Sequence, residues 1–359
     1  MKIAGPFNII LKMLFHNGIR INRAGILLLT LIVITLIYLC LPSNESNESY
    51  AGALRSPNVV NLKKLLMGSI SAAQRGGYEV LAVAESRNLN QKSKGLTQEG
   101  ADDPVTDADA RSHCVMKNGL VRLFSNIEII SEEDHGQTDC GDDVANFDVD
   151  LSVLSPNALV PDEIVYTKDV TVWIDPLDAT QEYTEKLYEY VTTMVCVAVK
   201  GVPTIGVIHS PFSGKTTWAW VNKAVSDDIE GIKKGDSFID NPIVTVSRSH
   251  PGDVQDLSHN VFGENSKILV AAGAGYKVLQ VIFNNATAYL HSTRIKKWDI
   301  CAGNAILNAL GGKMTTLYNE ELDYSDKNSA VNDKGLLAAL SNHHIYIKKL
   351  MDYQQSHPN

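Results

Sequence analysis

The stretch Val172-Trp173-Ile174-Asp175-Pro176-Leu177-Asp178-Ala179-Thr180 runs apolar, β-branched and aromatic up to Ile174, then ends in two carboxylates three residues apart, with proline between them. The apolar part reads as a buried strand. Pro176 fixes φ and has no N–H to donate, so the chain must turn there. That turn can aim Asp175, the Leu177 carbonyl and Asp178 at one point, an all-oxygen set suited to a hard divalent cation such as Mg²⁺. An Asp-rich loop that caps a helix is the competing reading.

Further acidic clusters stand along the chain. Val105-Thr106-Asp107-Ala108-Asp109 is one, and Ile127-Glu128-Ile129-Ile130 alternates into a short strand that ends in Ser131-Glu132-Glu133-Asp134. Lys296-Lys297-Trp298-Asp299 precedes Ile300 to Leu307, whose apolar spacing predicts a helix running to Gly311-Gly312. Asp299 thus falls at a helix N-terminus, where a capping role worth about 1 kcal/mol competes with ligation. Each cluster alone reads as a cap or a solvated face. Together they make a specific pattern.

That pattern resembles the lithium-sensitive, magnesium-dependent phosphatases of the inositol monophosphatase superfamily. Their signature is an Asp-Pro-(Leu/Ile)-Asp-Gly-Thr turn, an upstream Glu-Glu after a strand and a downstream Trp-Asp before a helix. All three occur here in that order, and the resemblance runs from Pro57 to the C-terminus. Ala179 replaces the usual glycine. If that glycine supplies a positive φ, alanine carries strain; if it only permits close packing, a methyl is a mild change. Gln181-Glu182-Tyr183-Thr184-Glu185, Val246-Ser247-Arg248-Ser249-His250 and Gly273-Ala274-Gly275-Tyr276-Lys277 resemble the 3′(2′),5′-bisphosphate nucleotidase branch. Golgi-resident members of that branch share the Ala179 variant and an anchored N-terminus.

The resemblance implies an α/β protein, an α-β-α-β-α layered sandwich of an α+β half (57–240) and an α/β half (241–359), with the site between them. It implies two or more Mg²⁺ ions held by Glu132, Asp175, the Leu177 carbonyl, Asp178 and Asp299, with Glu133 supporting Glu132. Thr180 and Asp109 would share a hydrogen bond that orients and deprotonates the attacking water; Asp107 competes with Asp109, and only the family pattern selects the later residue. Ser247, His250, Gly273 and Lys277 would contact a nucleotide. The implied reaction converts 3′-phosphoadenosine 5′-phosphate, the sulfotransferase by-product, to AMP and phosphate. From the residues themselves, the helix start after Gly273 offers backbone N–H groups for a phosphate, with Lys277 adding charge. Close strand–helix packing explains those glycines equally well. An inositol polyphosphate or an adenylyl sulfate is the alternative substrate, and a retired phosphatase serving as a membrane-bound binding protein is the alternative outside enzymes.

Ala24 to Leu41 is an uncharged apolar run of about 18 residues, near the minimum for a spanning helix. Lys2, Lys12, Arg20 and Arg23 precede it, and Glu45 and Glu48 follow with no basic residue before Arg55. The positive-inside rule then predicts a cytosolic tail (1–23), a signal-anchor (24–42), a polar stem (43–56) and a lumenal remainder. A cleaved signal peptide is the rival reading, against which the run exceeds the usual h-region and no clear small-x-small site follows. The resemblance adds the Golgi membrane as its place. Asn44, Asn47 and Asn285 head glycosylation sequons, of which Asn285, between a predicted helix and strand, is the better candidate.

A net charge of −9 argues against sequence-independent nucleic-acid binding, which needs a basic face. Arg248, His250, Lys277, Arg294, Lys296 and Lys297 stand close to the site motifs, and a local basic pocket in an acidic protein suits a small, highly charged substrate beside a cation. Five cysteines in 359 residues form no disulfide scaffold and match no zinc spacing. Cys196 and Cys301 read as core residues, while Cys114 and Cys140 can pair or not. Ser56-Pro57 reads as the start of a helix that Gly76-Gly77 weakens, and 135–168 as a loop-rich insertion. Thr192–Val199 and Pro203–His209 read as a hairpin, with Thr217–Val221 beside it. After Asn241-Pro242 the pattern changes to alternating strand and helix.

Overall fold

The computed structural model describes residues 58–96, 100, 102–135, 140, 153–154, 160–232, 241–248, 254–325 and 328–357. The expected tail, anchor and stem, the sequons at Asn44 and Asn47, His250 and most of 135–168 lie outside those residues. Among the described residues no helix is long and apolar enough to cross a membrane.

Helix α1 (Leu62–Ser86) begins later than Ser56-Pro57 predicts, because Val59–Asn61 pairs as a short antiparallel strand with Ile164–Tyr166. Asn61 is its cap, the side chain accepting the Lys64 N–H at 3.0 Å. The helix also runs straight through Gly76-Gly77. A Cβ at Gly76 would strike Met116 and Ser112, and one at Gly77 would strike His209, so the pair marks close approach rather than a weak point. A hairpin of β1 (Lys92–Leu96) and β2 (Asp102–Val105) leads into α2 (Asp107–Leu123).

The first sheet holds six strands: β3 (Glu128–Ser131), β4 (Val170–Asp178), β5 (Thr192–Val199), β6 (Val202–Ser210), β7 (Lys215–Trp220) and β8 (Ala224–Val225). Their order is β8-β7-β6-β5-β4-β3, antiparallel except for the parallel pair β3–β4. The expected hairpin is β5–β6, with β7 beside it. Short helix α3 (Thr180–Thr184) follows β4 directly.

The second half is β9 (Ile243–Ser247), α4 (Val254–Phe262), β10 (Lys267–Ala271), α5 (Ala274–Ile282), β11 (Ala288–His291), α6 (Lys297–Ala309), β12 (Lys313–Thr315), β13 (Leu336–Ala339) and α7 (His343–Ser356). Its sheet runs β10-β9-β11-β13-β12, with β9 parallel to both neighbours and β13 antiparallel to both of its own.

Period-two alternation sorts side chains between the layers. Val172, Ile174, Val195, Val197 and Val207 turn to α1 and α2, whereas Trp173, Met194, Cys196 and Ile208 turn to α5 and α6. Tyr289, Leu336 and Ala338 cover those same helices from the second sheet, while Val244, Val246 and Leu337 pack outward on α4 and α7. The result is the expected five-layered α-β-α-β-α sandwich. One expectation is corrected in the central layer: Cys196 and Cys301, read as core residues, form a disulfide. Each does face the core, and β5 and α6 bring the two faces together. Cys114 and Cys140 form a second disulfide.

Candidate active site

The turn ending β4 is built by its own backbone. Asp175 is 1% exposed and its Oδ1 accepts the Leu177 N–H at 3.1 Å, closing the chain around Pro176. Ser112 on α2 donates to the Pro176 carbonyl at 2.6 Å. Ala179 has φ 70° and ψ 46°, so the position does require a left-handed residue, and alanine accepts a strain of about 1 kcal/mol there. That reversal turns Thr180 back toward α2. Its Oγ1 donates to Asp109 Oδ1 at 2.8 Å and lies 3.1 Å from the Leu177 carbonyl oxygen.

Asp109 is the third residue of α2. Its Oδ2 accepts both the N–H and the Oγ1–H of Thr106 at 2.7 Å, which leaves Oδ1 for Thr180. Burial pushes its carboxyl up to about 6, against the Thr106 hydrogen bonds and Lys94, which favour the charged form. Asp107 instead bonds the Asn90 side chain. Asp299 is likewise a third residue, of α6, and its Oδ2 accepts the Lys296 N–H at 3.1 Å.

Asp178 is gripped from the second half. Its carboxylate accepts the N–H groups of Ala274 and Gly275 at 3.1 and 2.8 Å, and the Thr192 hydroxyl at 3.2 Å. The amides expected to receive a substrate phosphate therefore hold a site carboxylate. Gly273 makes this approach possible: its φ is 65°, and a Cβ would sit 2.7 Å from the Tyr190 carbonyl oxygen and 3.0 Å from Asp178 Oδ2. Lys277, 4% exposed, remains as the cationic part of that motif, with Nζ 5.3 Å above the Tyr289 ring. Burial lowers its pKa, while Asp178, Glu182 and Asp299 favour its charge.

Glu132 and Glu133 lie in the 3₁₀ turn after β3. Lys94 of the β1–β2 hairpin reaches both, meeting Glu132 at 2.9 Å. Burial and the neighbouring Glu132 push Glu133 up to about 7. Nothing in the polar sequence around Lys94 signals this role. Ser247, 4% exposed, ends β9, and Arg248 beyond it bridges Glu182 and Glu185 on the α3 side. Asn285 is exposed, its Nδ2 donating to Gln280 Oε1 at 3.1 Å.

Burial, then Glu132, Asp178, Asp299 and Asp109 in that order, drive the Asp175 carboxyl well above its usual range. Asp299 is raised by burial, Glu132 and Asp178. Carboxylates from β3, β4 and α6 thus converge and repel one another. A divalent cation converts that repulsion to attraction, and carboxylates with one carbonyl oxygen are the donors Mg²⁺ takes. Among the described residues no group of three or more His, Cys, Asp or Glu side chains is placed to hold a metal ion by itself.

Five layers with convergent carboxylates at the junction of strand ends and helix starts define a metal-dependent phosphatase. The chain belongs to the inositol monophosphatase family, whose model matches residues 61–352. A Drosophila melanogaster relative of the inositol monophosphatase 3 type is 54% identical over 345 residues, covering 95% of this chain and 96% of its own. The Golgi-resident adenosine 3′,5′-bisphosphate 3′-phosphatase of Mus musculus is 46% identical over 305 residues, 83% of each chain. An inositol monophosphatase structure from Thermotoga maritima superposes with a TM-score of 0.59 at 17% identity, covering 80% of this chain and 96% of that one. This last likeness concerns the fold alone.

Proposed function

We propose that this chain is a Mg²⁺-dependent, lithium-sensitive phosphatase that removes the 3′-phosphate of 3′-phosphoadenosine 5′-phosphate, releasing AMP. The observation that carries this reading is Lys277, a cation only 4% exposed on the helix whose first amides hold Asp178. A second cation beside the metal carboxylates suits a substrate with a second phosphate, and the mouse 3′-phosphatase relative supports the same substrate. Glu132, Asp175, the Leu177 carbonyl, Asp178 and Asp299 would hold two or more Mg²⁺ ions. Bound Mg²⁺ supplies Lewis-acid stabilisation of the attacked phosphoryl group and a lowered pKa for water.

The chain's own residues do the rest. Asp109 Oδ1 holds the Thr180 hydroxyl proton, so Thr180 Oγ1 presents its lone pairs to the attacking water and fixes its direction. Asp109, near 6, is mostly ionised at neutral pH and ready to take the proton that passes through Thr180. Glu133 braces Glu132 through the shared Lys94. Ser247, His250, Gly273 and Lys277 orient the nucleotide, and no cysteine takes part.

The Lys/Arg bias before Ala24 supports a type II single-pass protein: cytosolic tail 1–23, anchor 24–42, stem 43–56, and catalytic halves 57–240 and 241–359 in the Golgi lumen. The exposed Asn285 is then the preferred glycan acceptor. Phosphate release is to be measured on adenosine 3′,5′-bisphosphate, adenylyl sulfate, a small monophosphate and inositol 1,4-bisphosphate, for wild type and Lys277→Ala. A lysine on a non-reacting phosphate contributes binding shared by ground and transition states, so its loss mainly raises KM. The variant should lose far more on adenosine bisphosphate than on the monophosphate. Equal losses, or a wild-type preference for inositol 1,4-bisphosphate, would promote the inositol polyphosphate reading.

A further inference from the structure

The proposed metal carboxylates come from elements far apart in the chain. Asp175 and Asp178 end β4, whereas Asp299 is the third residue of α6. Charges gathered in one buried site repel, so whatever holds α6 against β4 decides how closely they stand before a cation joins them. Two fastenings lie beside Asp299. Trp298, the residue before it, meets Trp173 of β4 with ring centroids 6.4 Å apart. Cys301, two residues after it, is bonded to Cys196 of β5.

The strand register brings both fastenings to the level of the site. β5 runs antiparallel to β4, with Met194 opposite Asp175 and Cys196 opposite Trp173. Trp173, Met194 and Cys196 all turn to the α6 side of the sheet. Two residues along a strand span about 7 Å, and two along a helix rise about 3 Å. The disulfide therefore closes within a helical turn of Asp299 and within one side-chain repeat of the level of Asp175. The other disulfide, Cys114–Cys140, has neither half on β4, β5 or α6. Cys196 is 1% exposed and Cys301 not at all, so reductant does not reach their bond in the folded chain.

We propose that the Cys196–Cys301 disulfide is a positioning clamp for the metal site: it fixes the start of α6 on β5, so that Asp299 meets Asp175 and Asp178 at the spacing a bound cation needs. Cys196 and Cys301 touch neither metal nor substrate and act only through Asp299. The inference rests on the metal reading of those carboxylates given above. Two thiols would fill the same space, but they would let α6 drift outward under the repulsion acting on Asp299. Disulfides form in oxidising compartments, so a chain folded in a reducing one keeps the layers and lacks the tightened site.

The test separates metal affinity from stability. The full chain, purified in detergent, is compared as oxidised wild type, as wild type refolded in reductant, and as Cys196→Ala with Cys301→Ala. Mn²⁺ takes the same oxygen donors as Mg²⁺, and the paramagnetic resonance of the free ion counts its binding without turnover. The Mn²⁺ Kd should rise about tenfold in the reduced protein and in the alanine pair, the low end of what losing a ligand's support costs a metal site. Half-saturation by Mg²⁺ in phosphate release should rise in step, with kcat at saturating metal within about threefold of wild type. Leu350→Ala, a cavity on α7 in the outer layer, lowers stability by another route and should leave the Mn²⁺ Kd unchanged. Cys196→Val with Cys301→Ala refills the layer and gives the same comparison should the alanine pair fold poorly. An unchanged Kd in the reduced protein, or an equal rise in Leu350→Ala, overturns the clamp. A wild type that binds no Mn²⁺ and releases phosphate without any divalent ion overturns the metal reading itself, whereas one that binds it with an affinity indifferent to the disulfide overturns the clamp alone.

Discussion

Gly273→Ala should damage both the stability and the metal response of the protein, and the structure sets the scale. The native φ of 65° with ψ 131° lies outside every region an alanine occupies comfortably, at a cost of about 1–3 kcal/mol. The added methyl would stand 2.7 Å from the Tyr190 carbonyl oxygen, 3.0 Å from Asp178 Oδ2 and 3.4 Å from the Ala179 Cβ. The carbonyl is backbone and cannot swing aside, so the start of α5 must move, at a further cost of about 1–3 kcal/mol. For a folded unit of roughly 300 residues each kcal/mol shifts Tm by about 2 °C, which predicts a fall of roughly 4–12 °C in scanning calorimetry. Moving α5 also withdraws the Ala274 and Gly275 amides from Asp178, so half-saturation by Mg²⁺ in a phosphate-release assay should rise several-fold. An unchanged Tm together with an unchanged Mg²⁺ requirement would refute the claim that this glycine seats Asp178.

Other outcomes follow from the same geometry. Asp175→Asn should cut turnover by roughly a hundredfold or more, only partly restored by excess Mg²⁺; near-normal activity at ordinary Mg²⁺ would dismiss the metal site. Thr180→Ala should lower kcat about a hundredfold while Thr180→Ser, which keeps the donor to Asp109, stays within tenfold; equal kcat values for the two would exclude the water-orienting role. Burial lowers His209 and His343 to about 4, so the unfolded chain binds more protons than the native one between pH 6.5 and 4. Their contribution is complete above pH 6.5 and lost as the pH falls toward 4. Urea unfolding of wild type and His343→Asn across that window should show the variant's disadvantage shrinking with falling pH, and a constant difference would remove His343 from the account. Replacing Cys196 and Cys301 together by alanine opens a link between residues 105 apart and should cost roughly 4 kcal/mol in denaturant unfolding under oxidising conditions, a loss that reductant reproduces in the wild type.

The layers were legible because periodicity records which face a side chain takes. Val172 and Ile174 fall on one side of β4 and Trp173 on the other, as alternation requires. Partners across the chain were not legible in the same way. Nothing local in Thr180 says that Asp109, 71 residues earlier, receives its proton; the family pattern alone chose that residue over Asp107. Lys94 is a lysine in a polar hairpin until the fold brings it to Glu132 and Glu133. Gly76-Gly77 reads as a local weakening of α1, since a glycine pair lowers helix propensity, but propensity is a weak term against the packing that a bare backbone permits on α2 and His209. Cys196 and Cys301 each signalled burial, and burial says nothing about which buried neighbour is met.

One opposition in the sequence dissolves in the structure. Capping a helix and joining a metal site looked like rival duties for Asp109 and Asp299. A carboxylate has two oxygens, and these residues divide them. Asp109 caps α2 with Oδ2 and offers Oδ1 to Thr180; Asp299 caps α6 with Oδ2. Asp175 follows the same logic, giving Oδ1 to the Leu177 amide, whereas Asp178 is held at both oxygens, Oδ1 by the Ala274 amide and Oδ2 by that of Gly275. Repelling buried charges cannot be gathered by side chains alone, since each is driven toward its neutral form by burial and by its neighbours. A backbone N–H for each of the four aspartates, and the Lys94 ammonium for Glu132 and Glu133, offset part of that cost and fix the direction of each group before any cation arrives. The caps are therefore the means by which this chain assembles its site, and a substitution that breaks a cap without touching a carboxylate, such as Thr106→Val beside Asp109, should weaken catalysis as well as the helix it begins.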